Sequence, residues 1–433
     1  MSNNIESILM PPANLQQLDL SETLVVEIIL RLFFMEGEST GSHVQEIIRL
    51  PFKVIDEVLG NMQQDHLIEV RRSTGGLGRS GYLYVLTDAG KQRAHEALER
   101  SQYVGPAPVP LQKYNDAVLL QANKQTVSPE LVQQALSHLT LPSDFHRRIG
   151  PAVNAGSSIF LYGPSGNGKT TIAQAVGMLI AGSDPAWLPH AITIGGQIVQ
   201  VYDKLVHVEV PTNSKNFDPR WRLYRRPFVM AGGELDMESL ELRFDPIAKI
   251  YEAPLQMKAN CGTFLIDDFG RQQMSPAQLL NRWIVPLETE IDFFRLRTGQ
   301  TFHVPFKQLI IFSTNLDPND LVDDAFMRRI QMKVEVGSPD EKLFYQIFVS
   351  MCQTLKIPFD KASFIHFLQE WYYKSGRRLQ SVHPRDILNV VIALCDYAGE
   401  PYQLTPALID EACRAYFVDT SNNKKSTTTT ARV

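Results

Sequence analysis

The chain has 433 residues, a formal net charge of −5 and 44% hydrophobic residues. That is enough for two or three domains with sizeable cores, and its mildly acidic balance excludes a protein built mainly to coat nucleic acid or an anionic membrane. The four cysteines, Cys261, Cys352, Cys395 and Cys413, make no C-x-x-C pair, so neither a zinc knuckle nor a redox pair is indicated. The N-terminus lacks a basic region followed by an apolar run, and the most apolar stretch, Leu24 to Phe34, is broken by Glu27 and Arg31. A cytoplasmic protein without membrane insertion is expected.

Residues 1–18 read as a flexible, polar leader. Leu24, Val25, Ile28, Ile29 and Leu32 then form one stripe of a helix over about 21–35. A second helix fits Ser42 to Arg49, and Pro51 suits the first turn of a third that runs to about Gln64. Two strand-like runs, Leu67–Val70 and Tyr82–Leu86, flank a turn-rich stretch, and Thr87 or Asp88 caps a helix to about Gln102. Three helices followed by a β-hairpin, with the Leu-Thr-Asp-Ala-Gly step after the second strand, resemble a winged helix-turn-helix over 19–102. Between residues 20 and 101 there are nine Lys/Arg against twelve Asp/Glu. The third helix offers Lys53 against Asp56, Glu57 and Asp65, whereas a DNA reader needs cations on phosphate. Gln63 and Gln64 could read bases, and Arg71, Arg72 and Arg79 could touch phosphate, so binding of duplex DNA stays open. A protein-interaction role for 19–102 is favoured.

Residues 103–124, with Pro106, Pro108 and Pro110, read as an extended linker. A helix is expected from about Pro129 to Leu139. Residues 125–337 alternate apolar strand-like runs with helices, the pattern of a parallel α/β sheet. Residues 338–418 read as helical, and 419–433 as a disordered polar tail.

The chemistry is concentrated in the α/β part. Ser158–Tyr162 is a short apolar strand that leads into Gly163-Pro164-Ser165-Gly166-Asn167-Gly168-Lys169-Thr170-Thr171 and then a helix. This is G-x-x-x-x-G-K-[ST] in its strand–loop–helix setting, a P-loop. Its glycines let backbone N–H groups wrap phosphates, Lys169 reaches the β and γ phosphates, and the Thr170 hydroxyl ligates Mg²⁺. ATP and Mg²⁺ are therefore the expected cofactors. A second strand, Gly262–Ile266, delivers Asp267 and Asp268 at its carboxyl end, as a Walker B element does. Asp267 would hold Mg²⁺ through its water shell, and Asp268 would polarise the attacking water. A third strand, Gln308–Thr314, ends at Asn315.

The order and spacing of these elements over 125–418 resemble AAA+ ATPases. The resemblance implies a P-loop AAA+ core with a parallel sheet and a helical lid, and ATP hydrolysis at the interfaces of a ring-shaped homo-oligomer. It places Asn315 at sensor 1, Arg329 (or Arg328) at the arginine finger that acts on the neighbouring subunit, and Arg385 at sensor 2. An ion pair of Arg385 with Asp386 is the alternative for that residue. The family usually carries Asp-Glu where this chain has Asp267-Asp268, which points to slow turnover. Phe293–Val304, turning at Gly299, reads as a β-hairpin just before the sensor-1 strand, as in the group that contains MoxR-like chaperones and bacterial enhancer-binding activators. Together these features imply a chaperone-like remodeller of a protein client or adaptor, with a DNA-linked ATPase or regulator and a non-hydrolysing nucleotide switch as alternatives. Lys215–Arg226 carries five cations among Phe217, Trp221 and Tyr224. It fits a grip on single-stranded nucleic acid or an acidic peptide, or a subunit contact.

Overall fold

The computed structural model describes residues 5–73, 78–122, 127–156, 158–212, 216–317, 328–330 and 332–417. Lys215 and the tail 419–433, both named above, and Asp324–Met327, which lead into Arg328, lie outside the described residues.

At the centre is a five-stranded, fully parallel sheet in the order Phe228–Ala231, Thr263–Ile266, Leu309–Thr314, Ser158–Tyr162, Met332–Glu335. Its strands are apolar on both faces, as helix-covered sheets require. The alternation of side chains divides them cleanly between two layers. Ile159, Leu161, Leu265 and Ile311 pack with the helices Phe145–Ala155 and Lys169–Ala181. Phe160, Phe264, Ile266 and Phe312 pack on the opposite face with Leu279 and Trp283 of the helix Pro276–Thr289. That helix is fixed at its start by a capping box between Ser275 and Gln278.

The N-terminal domain is a helix Glu22–Glu36, a short strand Glu38–Thr40, helices Gly41–Ile48 and Phe52–Gln64, strands Ile68–Ser73 and Tyr82–Leu86, and a helix Asp88–Arg100. Its antiparallel sheet runs in the order 38–40, 82–86, 68–73. Glu27 and Arg31, which interrupt the apolar run, form a buried ion pair of 3.0 Å. Arg31 also donates to the carbonyls of Ala97 and Tyr103, tying the first helix to the last and to the segment beyond it.

Three expectations are corrected. Residues 5–18 of the leader are folded: they form helices Ile5–Ile8 and Leu15–Leu18 and bury Leu9 and Leu18. The Pro-rich stretch is extended, but it is core rather than linker. Residues 105–110 are buried, and Val109–Pro110 pairs with Ile192–Thr193 at the edge of a second, mixed sheet. An edge strand tolerates proline because one side of it needs no N–H donors. Directly after it, Leu111–Gln121 is a helix that buries Tyr114, Ala117 and Val118. The third correction concerns the basic–aromatic segment. Trp221 and Tyr224 are buried, and Arg220 lies fully inside against Asp218 at 2.7 Å. Arg226 donates to the carbonyls of Asp184, Cys261 and Gln121. These side chains are occupied within the fold and do not form a grip for nucleic acid.

The second sheet runs in the order 243–245, 250–252, 197–200, 191–194, 109–110; all its strands but 109–110 are inserted in sequence between the central strands. The hairpin expected before Asn315 is present as Ile291–Arg295 paired with Thr301–Pro305, with Gly299 at φ 89° in its turn. Phe294, Leu296, Phe302 and Val304 bury one of its faces against the inserted sheet, while Phe293 is 57% exposed on the other.

The C-terminal helices Glu341–Thr354, Lys361–Leu368, His383–Ala398 and Pro406–Tyr416 enclose a core of their own around Phe344, Phe348, Phe367 and Leu388. A π-helical turn, Gln369–Tyr373, extends the second of them. Among the described residues no helix is long and apolar enough to cross a membrane.

Candidate functional site

The carboxyl ends of the central strands and the first turn of the helix 383–398 surround a cleft of about 350 Å³. Ligand clefts of open α/β sheets lie at this end. The sheet order explains the convergence. The strand that ends at Asn315 lies between the strand feeding the glycine-rich loop and the strand that ends at Asp267, so Asn315 is held between loop and acids.

The loop itself is set by its glycines: Gly163, Gly166 and Gly168 have φ values of 138°, 74° and 88°. At Gly163 a Cβ would come within 2.3 Å of the Val336 carbonyl, so the close approach of loop and neighbouring strand demands glycine there. Gly168 caps the helix Lys169–Ala181, whose first N–H groups have no partner within the helix and point towards the loop. Ser165 through Thr171 line the cleft. Lys169 is 8% exposed, and its ammonium donates to the carbonyls of Gly163 and Pro164, each at 2.9 Å. Burial lowers its pKa, and Asp268 and Asp267 act in the opposite direction.

Thr170 and Asp267 meet directly, the hydroxyl lying 2.9 and 2.8 Å from the two carboxylate oxygens. Asp268, exposed, turns out of the strand at φ 48° and lines the cleft. Aspartate tolerates this left-handed conformation better than most residues. The turn is held by the Phe269 N–H on the Ser313 carbonyl at 2.7 Å and by Gln272, which donates to the carbonyls of Asp267 and Asp268. Asn315 also lines the cleft, and its buried Oδ1 has no hydrogen-bond partner among the described residues. An orphaned acceptor of this kind is costly in a finished fold and marks a place where a ligand or water donates.

Arg385 reaches the same cleft from the first turn of its helix. It pairs with Asp386, with Nε and one terminal nitrogen each 2.9 Å from Oδ1, so the lining position and the ion pair both hold. Asp386 in turn accepts from the Tyr416 hydroxyl at 2.9 Å. Arg328 and Arg329 stand apart from this group. Arg328 is exposed, whereas Arg329 is half-buried and bonded to Glu288 at 2.6 Å. The cleft also takes residues that sequence reasoning passed over: His138 to Leu141 on one side, and Ile347 and Met351, Ser381 and Val382 from the C-terminal helices. Ile347 and Met351 lie four apart on one helix face, and that spacing was the available signal; the segment 138–141 carries none.

The donor set fits a magnesium–nucleotide complex. Among the described residues no three His, Cys, Asp or Glu side chains cluster as a metal cage. Mg²⁺ bound with a nucleotide needs only one or two protein ligands besides phosphate oxygens and water, and the touching pair Thr170–Asp267 is of that kind.

A family model described as a domain of unknown function, DUF8689, matches residues 340–415, the C-terminal helices alone. No curated protein matches the chain. Among solved structures, NtrX from Brucella abortus in complex with ADP is 15% identical, over 78% of this chain and 69% of that one, with a TM-score of 0.39. The Thermotoga maritima RuvB Holliday junction branch migration motor is 13% identical, over 69% of this chain and 74% of that one, with a TM-score of 0.35. At such values these likenesses carry no argument about function, and the functional reading rests on the cleft itself.

Proposed function

We propose that the chain is an ATP-hydrolysing protein of the AAA+ kind that works as a homo-oligomer, with a ring as the expected form, and remodels a protein partner. The observation that carries this reading is the convergence on one cleft of the glycine-rich loop, the Asp268 carboxylate, the unpartnered Asn315 amide oxygen and the Arg385 guanidinium. These groups are scattered over more than 200 residues of sequence.

In this reading the N–H groups of residues 165–170 cradle the phosphates, and Lys169 leaves the carbonyls of Gly163 and Pro164 to neutralise phosphate charge. Thr170 and Asp267 hold the metal, which when bound supplies electrostatic stabilisation of the transferring phosphoryl group. Asp268 accepts one proton of the attacking water, and Asn315 Oδ1 orients that water by accepting a hydrogen bond from its remaining O–H. Arg385 leaves Asp386 to meet the terminal phosphate from the same subunit. The arginine finger comes from a neighbouring subunit. Arg328 suits that role better than Arg329, because Glu288 already engages Arg329.

The N-terminal domain, in this reading a winged helix, serves as an adaptor for protein. Two observations support that choice over duplex DNA. The helix Phe52–Gln64 sets Asp56 and Glu57 against Lys53, its one cation, and the Leu15 N–H bonds Glu57 at 3.3 Å, which holds the leader against that helix.

The test is steady-state ATPase rate against protein concentration with Lys169→Ala as the blank. A rate per subunit that rises cooperatively supports an assembled motor. ATP binding without phosphate release at any concentration would replace the motor with a nucleotide switch, and no binding would sink the reading altogether.

A further inference from the structure

The cleft is closed on one side by a contact in which the glycine-rich loop and the C-terminal helices grip each other through their own polar groups. Val382 N–H donates to the Gly166 carbonyl at 2.9 Å, and Ser381 N–H donates to the Asn167 side-chain oxygen at 3.1 Å. The fit has no slack: a Cβ on Gly166, whose φ is +74°, would lie 2.8 Å from a Val382 methyl and 2.9 Å from the Gln380 amide oxygen. Asn167 is 4% exposed. Its amide nitrogen faces the Pro164 carbonyl and the Ser338 hydroxyl, both at 3.5 Å. One side chain therefore touches the loop, the exit from the last central strand, and the segment just before the helix 383–398. Arg385 sits in the first turn of that helix.

We propose that Asn167 is a positioning residue that couples occupancy of the loop to the placement of Arg385. This rests on the ATPase reading above and goes beyond it. Phosphates bind by drawing on the backbone N–H groups around residue 167. Any loop arrangement that binds them better is passed to residues 381–382 through two hydrogen bonds, and from there to the helix start. By linkage, a displaced helix weakens phosphate binding by the same factor. Val382 is linked through the loop backbone, whereas the link to Ser381 runs through the Asn167 side chain. Substitution there removes the second of the two links and leaves every loop N–H, and the Val382 link, in place. Arg385 makes the contact with phosphate, and Asn167 acts through it.

The full chain is tested with Asn167→Ala, Arg385→Ala and the double variant. The readouts are Mg·ADP affinity, kcat and KM for ATP, and hydrogen exchange over 383–398 with and without nucleotide. Loss of one neutral hydrogen bond corresponds to a factor of up to about ten. The expected result is ADP affinity within about threefold of wild type and kcat about tenfold lower. Nucleotide-induced protection over 383–398 should be reduced, and the double variant should be no slower than Arg385→Ala alone. Multiplying losses in the double variant, or wild-type protection and kcat in Asn167→Ala, would overturn the proposal. Asn167→Ser withdraws the acceptor from Ser381 but keeps a small polar group, and it carries the same expectations if the alanine variant does not fold. Failure of the wild type to bind Mg·ADP would strike the ATPase reading instead.

Discussion

Replacing Arg220 by alanine distinguishes a buried strut from a nucleic-acid grip. The guanidinium is 0% exposed, donates through Nε and a terminal nitrogen to Asp218 at 3.0 and 2.7 Å, and reaches the Pro108 carbonyl at 3.1 Å. Truncation leaves a carboxylate that is 3% exposed without its cation, beside an unsatisfied carbonyl. Breaking a buried pair from one side costs about 3–5 kcal/mol. For a unit the size of the central domain that is a fall in Tm on the order of 10 °C. Thermal unfolding of Arg220→Ala, with the exposed Arg225→Ala as reference, gives the number, and fluorescence anisotropy with labelled oligothymidylate gives binding. The reasoning fails if Arg220→Ala costs under about 1 kcal/mol, the value of a surface pair, or if it weakens oligonucleotide binding at a temperature where it remains folded.

Thr170→Ala should reduce Mg²⁺-dependent phosphate release by a factor on the order of 10² to 10³, the size of effect seen when one charge-stabilising contact to a transition state is lost. A magnesium titration should recover part of the loss at high metal, because removing a ligand weakens the metal site. Doping wild type with Arg328→Ala should depress the rate of wild-type subunits, whereas Arg329→Ala should act chiefly on stability through Glu288; the reverse pattern in mixed-subunit assays would exchange their roles. His207 gives a pH prediction. Its Nδ1 accepts the Asp203 N–H at 2.9 Å, its Nε2 faces the Lys258 carbonyl, and burial lowers its pKa from 6.5 to about 4. Between those values the unfolded chain binds the extra proton, so this contribution is full above pH 6.5 and declines as pH falls towards 4. The full extent is on the order of 3 kcal/mol. Urea unfolding of wild type and His207→Asn across pH 4–7 should show a shallower slope in the variant.

The glycine-rich loop was legible because its spacing is a demand of the backbone, which leaves a fixed imprint on sequence. Asp267, Asp268 and Asn315 were legible because apolar strands end at them. Elsewhere the reading failed where identity and environment part company. Arg220 and Arg226 look like surface cations, and only the fold supplies the buried carboxylate and carbonyls that take them in. Pro106, Pro108 and Pro110 look like a linker because proline lacks a donor, yet an edge strand spares donors. Tyr114, Ala117 and Val118 carried a helical spacing that the neighbouring prolines obscured. The short strands 186–189, 191–194 and 197–200 have four residues each, too few to establish a period.

The pairing of Val109–Pro110 with Ile192–Thr193 bears on how the chain can be divided. Tyr103, Ala107, Ala191 and Ile198 belong to the same apolar cluster as the helices of the N-terminal domain. Lys249 and Gln102 add polar stitches between the same two regions, through the carbonyls of Glu99 and Ala248. A cut near residue 103 would therefore split a hydrophobic core instead of severing a tether, and both pieces would expose greasy faces. The domain is thus built in as a handle is built into a tool: force applied to it is felt by the inserted sheet, and from there by the hairpin that precedes Asn315.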